Sequence, residues 1–192
     1  MRPTILLTGG RGVGKTTVCQ AVAELARQRG YRPGGVVTPA LYDDHGVKVG
    51  LEAMDVSSGE RWLLARTDPS PGSGHRRESG PRVGPYSFDP AALARALKVL
   101  RKAATTECDL LMVDEIGPLE LEQGEGFAPV LDLLPPGMPT HILIVVRPEL
   151  LDALRLRLRS TSPTVFNVTR ENRDALPRQI IEELWGRSGD DD

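Results

Sequence analysis

Eight residues near the N-terminus, Gly9-Gly10-Arg11-Gly12-Val13-Gly14-Lys15-Thr16, satisfy G-x-x-x-x-G-K-[ST] and sharply restrict what this chain can fold into. The pattern works in one setting, a tight turn between a buried strand and the first turn of a helix. Its glycines let successive backbone N–H groups turn inward and cradle phosphate oxygens. Lys15 reaches the β- and γ-phosphates, and the Thr16 hydroxyl suits a Mg²⁺ ligand. The flanks agree. Thr4 to Thr8 reads as a buried strand, and Thr17 to Arg29 reads as a helix with Val18, Val22, Leu25 and Ala26 at helical spacing and Gly30 as its stop. The N-terminal end of that helix dipole favours the same anion. Gly9, Gly10, Arg11, Gly12, Val13, Gly14, Lys15, Thr16 and Thr17 are therefore the candidate nucleotide-binding residues. Arg11 either touches phosphate or points to solvent.

The bulk figures set limits. A chain of 192 residues with 26% charged and 40% hydrophobic residues is sized for one globular domain, expected over 1–187. The net charge of −2 gives no basic field for nucleic acid. Cys19 and Cys108 lack metal-ligand spacing and are expected as reduced thiols of a cytoplasmic protein. The apolar run before the glycine loop is too short for a signal peptide, and no later stretch approaches the roughly eighteen apolar residues of a membrane span. The acidic end, 188–192, is expected to fray.

Further along, Val36 to Thr38, Val47 to Met54 and Arg61 to Ala65 read as short strands of an antiparallel β insertion, with turns at Asp43–Gly46 and Ser57–Gly59. Segment 67–84 is rich in Pro and Gly and is expected to be a mobile loop. Its Arg76, Arg77 and Arg82 are either lid or finger arginines, or solvated loop residues. Asp89 caps the next helix, with Pro90 at its first position and Leu93, Leu97 and Leu100 as its buried stripe. Strands follow at Asp109–Val113, Ile142–Val146 and Thr164–Val168, and helices at Phe127–Leu134, Glu149–Leu158 and Arg173–Trp185, the start of the last left open by Pro177. Near-continuous apolar strands of this kind belong to a parallel sheet covered on both faces. The fold class is α/β.

The run Leu110-Leu111-Met112-Val113 ends in Asp114-Glu115. Carboxylates at the C-terminal end of a central strand face the crevice where open α/β sheets bind ligands. Asp114 fits a Mg²⁺ ligand, direct or through water, alongside Thr16. Glu115 fits a base that orients and deprotonates an attacking water. Glu115 and Lys15 are the candidate catalytic residues. A glutamate in this position accompanies an extra strand between the loop strand and the Asp114 strand, and Ile142–Val146 is the natural candidate. Arg147 then emerges either beside the γ-phosphate or as a surface residue. Tyr86 either stacks on a base or packs. Trp62 and Trp185 read as packing residues, and His45, His75 and His141 show neither triad nor metal spacing. The four lysines, Lys15, Lys48, Lys98 and Lys102, are never followed two residues later by Asp, so the guanine-reading Lys-x-Asp element of regulatory GTPases is missing.

These elements in order resemble the nucleoside-triphosphatase family first described from thermophiles. The resemblance rests on Gly-Val-Gly-Lys-Thr-Thr at 12–17, Val-Gly-Pro-Tyr at 83–86, and Asp-Glu-Ile-Gly-Pro-Leu-Glu-Leu at 114–121 followed by Phe127, and spans roughly 4–185. It implies a RecA-like phosphate-loop core, a mostly parallel central sheet flanked by helices, Mg²⁺, and hydrolysis of ATP, GTP and other nucleoside triphosphates to diphosphate and phosphate. The chain departs from the family at Pro118, where many members carry a basic residue, and at Thr38–Tyr42, where many carry an arginine. Two other readings share the loop: a kinase for a small metabolite or nucleoside, with Glu115 or Asp114 as base toward a hydroxyl, and a nucleotide-driven switch on a partner protein that moves the 67–84 loop.

Overall fold

A computed structural model describes residues 4–67, 80–105, 108–134, 140–158 and 163–186. The switch reading and Arg76, Arg77 and His75 thus fall outside the described residues, as do most of the 67–84 loop and the acidic end. In chain order the described elements are β1 (Thr4–Thr8), α1 (Lys15–Gln28), β2 (Pro33–Val37), β3 (Ala40–Tyr42), β4 (Lys48–Asp55), β5 (Arg61–Thr67), β6 (Arg82–Val83), β7 (Tyr86–Phe88), α2 (Pro90–Thr105), β8 (Leu110–Ile116), α3 (Pro118–Leu121), α4 (Ala128–Leu131), β9 (His141–Val146), a 3₁₀ turn (Pro148–Leu150), α5 (Leu151–Arg157), β10 (Thr164–Asn167) and α6 (Leu176–Trp185).

All ten strands join one sheet in the order β10-β1-β9-β8-β2-β4-β5-β7-β6, with β3 paired to β4. The run β10, β1, β9, β8, β2 is parallel, and every pairing from β2 outward to β6 is antiparallel. The fold is mixed α/β with a helix-flanked, parallel centre. β9 lies between β1 and β8, as expected from the Asp114-Glu115 pair. Period-two alternation along the buried strands sorts their side chains to two faces. Ile5 and Leu7 of β1 with Met112 of β8 pack on α1 and α6, while Leu6, Leu111 and Val113 pack on the side of α2, α4 and α5. α2 starts as its sequence dictates: the Asp89 carboxylate accepts the N–H groups of Ala91 (2.7 Å) and Ala92 (3.0 Å).

The middle of the chain differs from expectation. Val36 and Val37 belong to β2, which is parallel to β8 and antiparallel to β4, so it is the joint between the two halves of the sheet and not a strand of the insertion. The insertion itself gains three short strands, β3, β6 and β7. The reason β2 escaped its proper reading is its composition, Pro33-Gly34-Gly35, which lacks the apolar side chains of a core strand although all five residues are buried. Small residues are needed there. Gly35 has φ 104°, and a Cβ at that position would stand 2.1 Å from the Met112 carbonyl oxygen. Other boundaries move by a few residues: α4 is a single turn, the Glu149–Leu158 helix opens as a 3₁₀ turn, and α6 begins at Leu176, just before Pro177.

Gly35→Ala forces a β-carbon against a central strand in a conformation that disfavours it. It is expected to cost about 3 kcal/mol or more of folding stability, read from urea unfolding.

Candidate active site at the phosphate loop

Thr8 ends β1 and Lys15 begins α1, so the loop 9–14 spans one strand end and one helix start. α1 opens differently from α2. Its N-cap is Gly14, no side chain caps it, and its first turn holds no acidic residue. The first N–H groups of the helix are thus left to an outside anion. Lys15 Nζ donates to the carbonyl oxygens of Gly9 (2.7 Å) and Gly10 (2.8 Å), which folds its ammonium back over the loop. Burial lowers the Lys15 pKa, against the opposing pull of the Glu115 and Asp114 carboxylates.

The two carboxylates sit at the end of β8, where its register against β9 shifts between Val113 and Ile116. Such an irregularity re-aims side chains beside a site. Asp114 is 2% exposed, and its Oδ2 accepts the Thr38 N–H at 3.1 Å, just beyond β2. Burial pushes its carboxyl up to about 6, against the stabilising hydrogen bonds from Thr38 N–H and the Thr16 hydroxyl. Thr16 and Asp114 therefore present adjoining oxygens at the start of α1. Among the described residues no cluster of three His, Cys, Asp or Glu side chains forms a metal cage. Two hard oxygen donors suit Mg²⁺, which is held by few protein ligands.

Glu115 points the other way and is partly exposed. Its Oε1 accepts a 2.6 Å bond from Arg147 Nε. Arg147 is the first residue after β9, so the strand wedged between β1 and β8 delivers it next to Glu115. Gly9, Gly10, Lys15, Glu115 and Arg147 line one wall of a cavity of about 260 Å³. Arg11 is exposed at its edge, and Thr17 lies on the first turn of α1. Arg82, on β6, is not among the lining residues, whereas Tyr86 is, with Lys48 Nζ 5.0 Å from its ring centroid. Trp62 and Trp185 pack: the first donates to Ala92 O at 3.2 Å, the second stacks on Tyr31. Cys19 and Cys108 are free thiols.

Two residues at the site were not singled out from the sequence. Glu120 is 8% exposed, and its carboxylate accepts the N–H groups of Gly117 (2.9 Å) and Phe127 (3.1 Å). It thereby ties the residue before α3 to the residue before α4. The signal was there: a lone acid within the apolar stretch Ile116–Leu121. Burial raises its pKa to about 7. Arg173, beyond β10, lies against the loop, its Cδ 3.1 Å from where a Cβ on Gly14 would stand. It is carried by the edge rule that selected Asp114, since β10 is parallel to β1 and ends at the same rim.

A family model described as NTPase matches residues 4–181. The chain is 34% identical to nucleoside-triphosphatase THEP1 of Methanopyrus kandleri over 188 residues, covering 96% of each chain. It is 34% identical to nucleoside-triphosphatase THEP1 of Thermofilum pendens over 179 residues, covering 93% of each. The solution structure of a human cancer-related nucleoside triphosphatase superposes with TM-score 0.72 at 30% identity, over 97% of this chain and 99% of that one. The crystal structure of THEP1 from Aquifex aeolicus shares the fold, with TM-score 0.67 at 20% identity over 95% of this chain and 99% of that one.

Glu120 gives the folded chain a pH signature. Its folded pKa lies above the unfolded 4.5, so its contribution is fully present below that value and is lost as pH rises through about 7. The decline amounts to up to about 3 kcal/mol. Urea midpoints across pH 5 to 8 should fall less steeply in Glu120→Gln than in the parent, with Asp114 supplying a residual decline in both. An equally steep fall in the variant would remove Glu120 as its source.

Proposed function

Since the chain belongs to the nucleoside-triphosphatase family, we propose that it is a Mg²⁺-dependent cytoplasmic enzyme acting as one unit over 1–187, hydrolysing ATP, GTP and other nucleoside triphosphates to diphosphate and phosphate. The observation that carries this reading is the convergence of Lys15, Thr16, Asp114 and Glu115 from β1–α1 and β8 on one rim, with Arg147 bonded to Glu115. The uncapped start of α1 supports phosphate binding there. Breadth of base use is supported by the missing Lys-x-Asp element.

In this reading Gly9 to Thr17 bind the phosphate chain through backbone N–H groups, with the γ-phosphate at the Lys15 and Glu115 end. Lys15 leaves the Gly9 and Gly10 carbonyls for the β- and γ-oxygens. Thr16 and Asp114 would hold Mg²⁺, directly or through water, and the ion would supply positive charge to offset that of the phosphate oxygens. Glu115 accepts a hydrogen bond from the attacking water and takes its proton as the new O–P bond forms in line with the leaving diphosphate. Arg147, already beside Glu115, holds that carboxylate in place and offers a cation to the transferring phosphoryl group.

Glu115→Gln should retain nucleotide affinity and lower kcat on the order of 10²–10⁴-fold. Lys15→Ala should weaken affinity and turnover together, and EDTA should abolish phosphate release. The check is phosphate release across ATP, GTP, CTP and UTP, with no acceptor added, beside nucleotide binding by both variants. Unchanged release by Glu115→Gln would remove Glu115 from the mechanism, and turnover confined to one base would remove the broad-selectivity reading.

A further inference from the structure

The cavity beside the loop is built for more than water. One wall is polar and carries Lys15, Glu115 and Arg147. The rest of the lining is mostly apolar, with Leu51, Leu64, Val83, Phe88, Leu93 and Phe127 drawn from β4, β5, β6, β7, α2 and the segment before α4, beside the polar groups of Lys48, Tyr86 and Glu120. Its position relative to a bound nucleotide follows from the loop. Lys15 and Glu115, which mark the γ-phosphate end, line the cavity, whereas Thr16, Thr17 and Arg173, the last packed against Gly14, do not. The chamber therefore extends beyond the γ-phosphorus, on the side from which an in-line nucleophile must come.

Water gains nothing from the apolar part of this lining. An ordered water needs two to four polar partners, and six hydrophobic side chains supply none. Pockets that hold small organic molecules have this other composition, an apolar surround with a few convergent polar groups. We propose that the chamber is an acceptor site for a small ring-bearing alcohol, and that the enzyme transfers the γ-phosphoryl group to it. The proposal rests on the reading of Lys15 and Glu115 given above. The alcohol seats its ring against the apolar walls and its hydroxyl at Glu115. The hydroxyl oxygen forms the new bond to γ-phosphorus, and the bond from γ-phosphorus to the β,γ-bridging oxygen breaks with its electron pair leaving on the diphosphate. The hydroxyl proton passes to the Glu115 carboxylate. Hydrolysis is the same reaction with a water at Glu115 in place of the hydroxyl, and it makes no use of the apolar part of the chamber. The antiparallel half of the sheet thereby acquires a role, since it supplies most of the apolar wall.

The test compares acceptors at equal concentration with Mg²⁺ and ATP. Benzyl alcohol, hydroxymethylpyridine and uridine are set against methanol, which is too small to use the walls. Organic phosphate and inorganic phosphate are both quantified by phosphorus NMR. The expected result is a preference of about tenfold or more for at least one ring-bearing alcohol over methanol, the range a hydrophobic pocket discriminates. Val83→Trp, on the half-buried β6–β7 hairpin, should erase that preference by filling the chamber and leave acceptor-free phosphate release unchanged. Leu51→Trp on β4 fills it from another strand should the first variant fail to fold. Transfer to methanol equal to that of every ring-bearing alcohol, or a preference untouched by both folded variants, overturns the acceptor site. Phosphate release without ring preference defeats this inference alone. Absence of both release and transfer defeats the hydrolytic reading as well. Transfer without acceptor-free release supports the acceptor site and restricts the enzyme to it.

Discussion

A single buried carboxylate ties the active rim together. Asp114 accepts the Thr38 N–H beyond β2, meets the Thr16 hydroxyl at the start of α1, and rides on β8. Taking an ionised carboxylate out of water costs several kcal/mol, and imperfect partners leave that cost standing. The raised pKa of about 6 records that the partners in the protein alone do not offset it fully. A bound cation would complete the offset. The three segments that converge on Asp114 are positioned around this one buried carboxylate.

Strand order explains why the convergence is possible. Placing β9 between β1 and β8 separates the phosphate loop from the carboxylate strand by one strand width, and the residue that emerges in the gap is Arg147. Glu115 gains a cationic neighbour without any helix having to reach across. Glu120 fixes the turn that follows, because its two backbone partners, Gly117 and Phe127, lie on either side of α3. Loop, strand end and turn each hold one part of the same short stretch of space.

The legible parts of the sequence were those governed by local rules. The loop, its flanking strand and helix, the Asp89 cap and the apolar β8 and β9 each carry their pattern within about ten residues. β2 did not read as core because Pro33, Gly34 and Gly35 bury backbone against Met112, and backbone burial leaves no hydrophobic pattern. α3 did not read as a helix, since one helical turn pinned by a buried glutamate has no periodicity to show. Arg173 and the apolar chamber depend on contacts between segments far apart in the chain. Those contacts are tertiary facts that single-sequence patterns do not encode, and of the strand order only the place of β9 was legible, from the Asp114-Glu115 pair.

The ends of the sheet have a bearing on how the protein survives at high concentration. An open sheet leaves unpaired edges, and a long flat edge is a template on which another chain can pair. Among the described residues the edge strands are β10, four residues, β6, two residues, and β3, three residues, which pairs with β4 alone. All three are short templates for a ladder with a second molecule. Widening the sheet with the antiparallel strands therefore lines the cavity and replaces a five-residue edge at β2 with shorter ones, so the same addition that shapes the cavity also shortens the templates open to another chain.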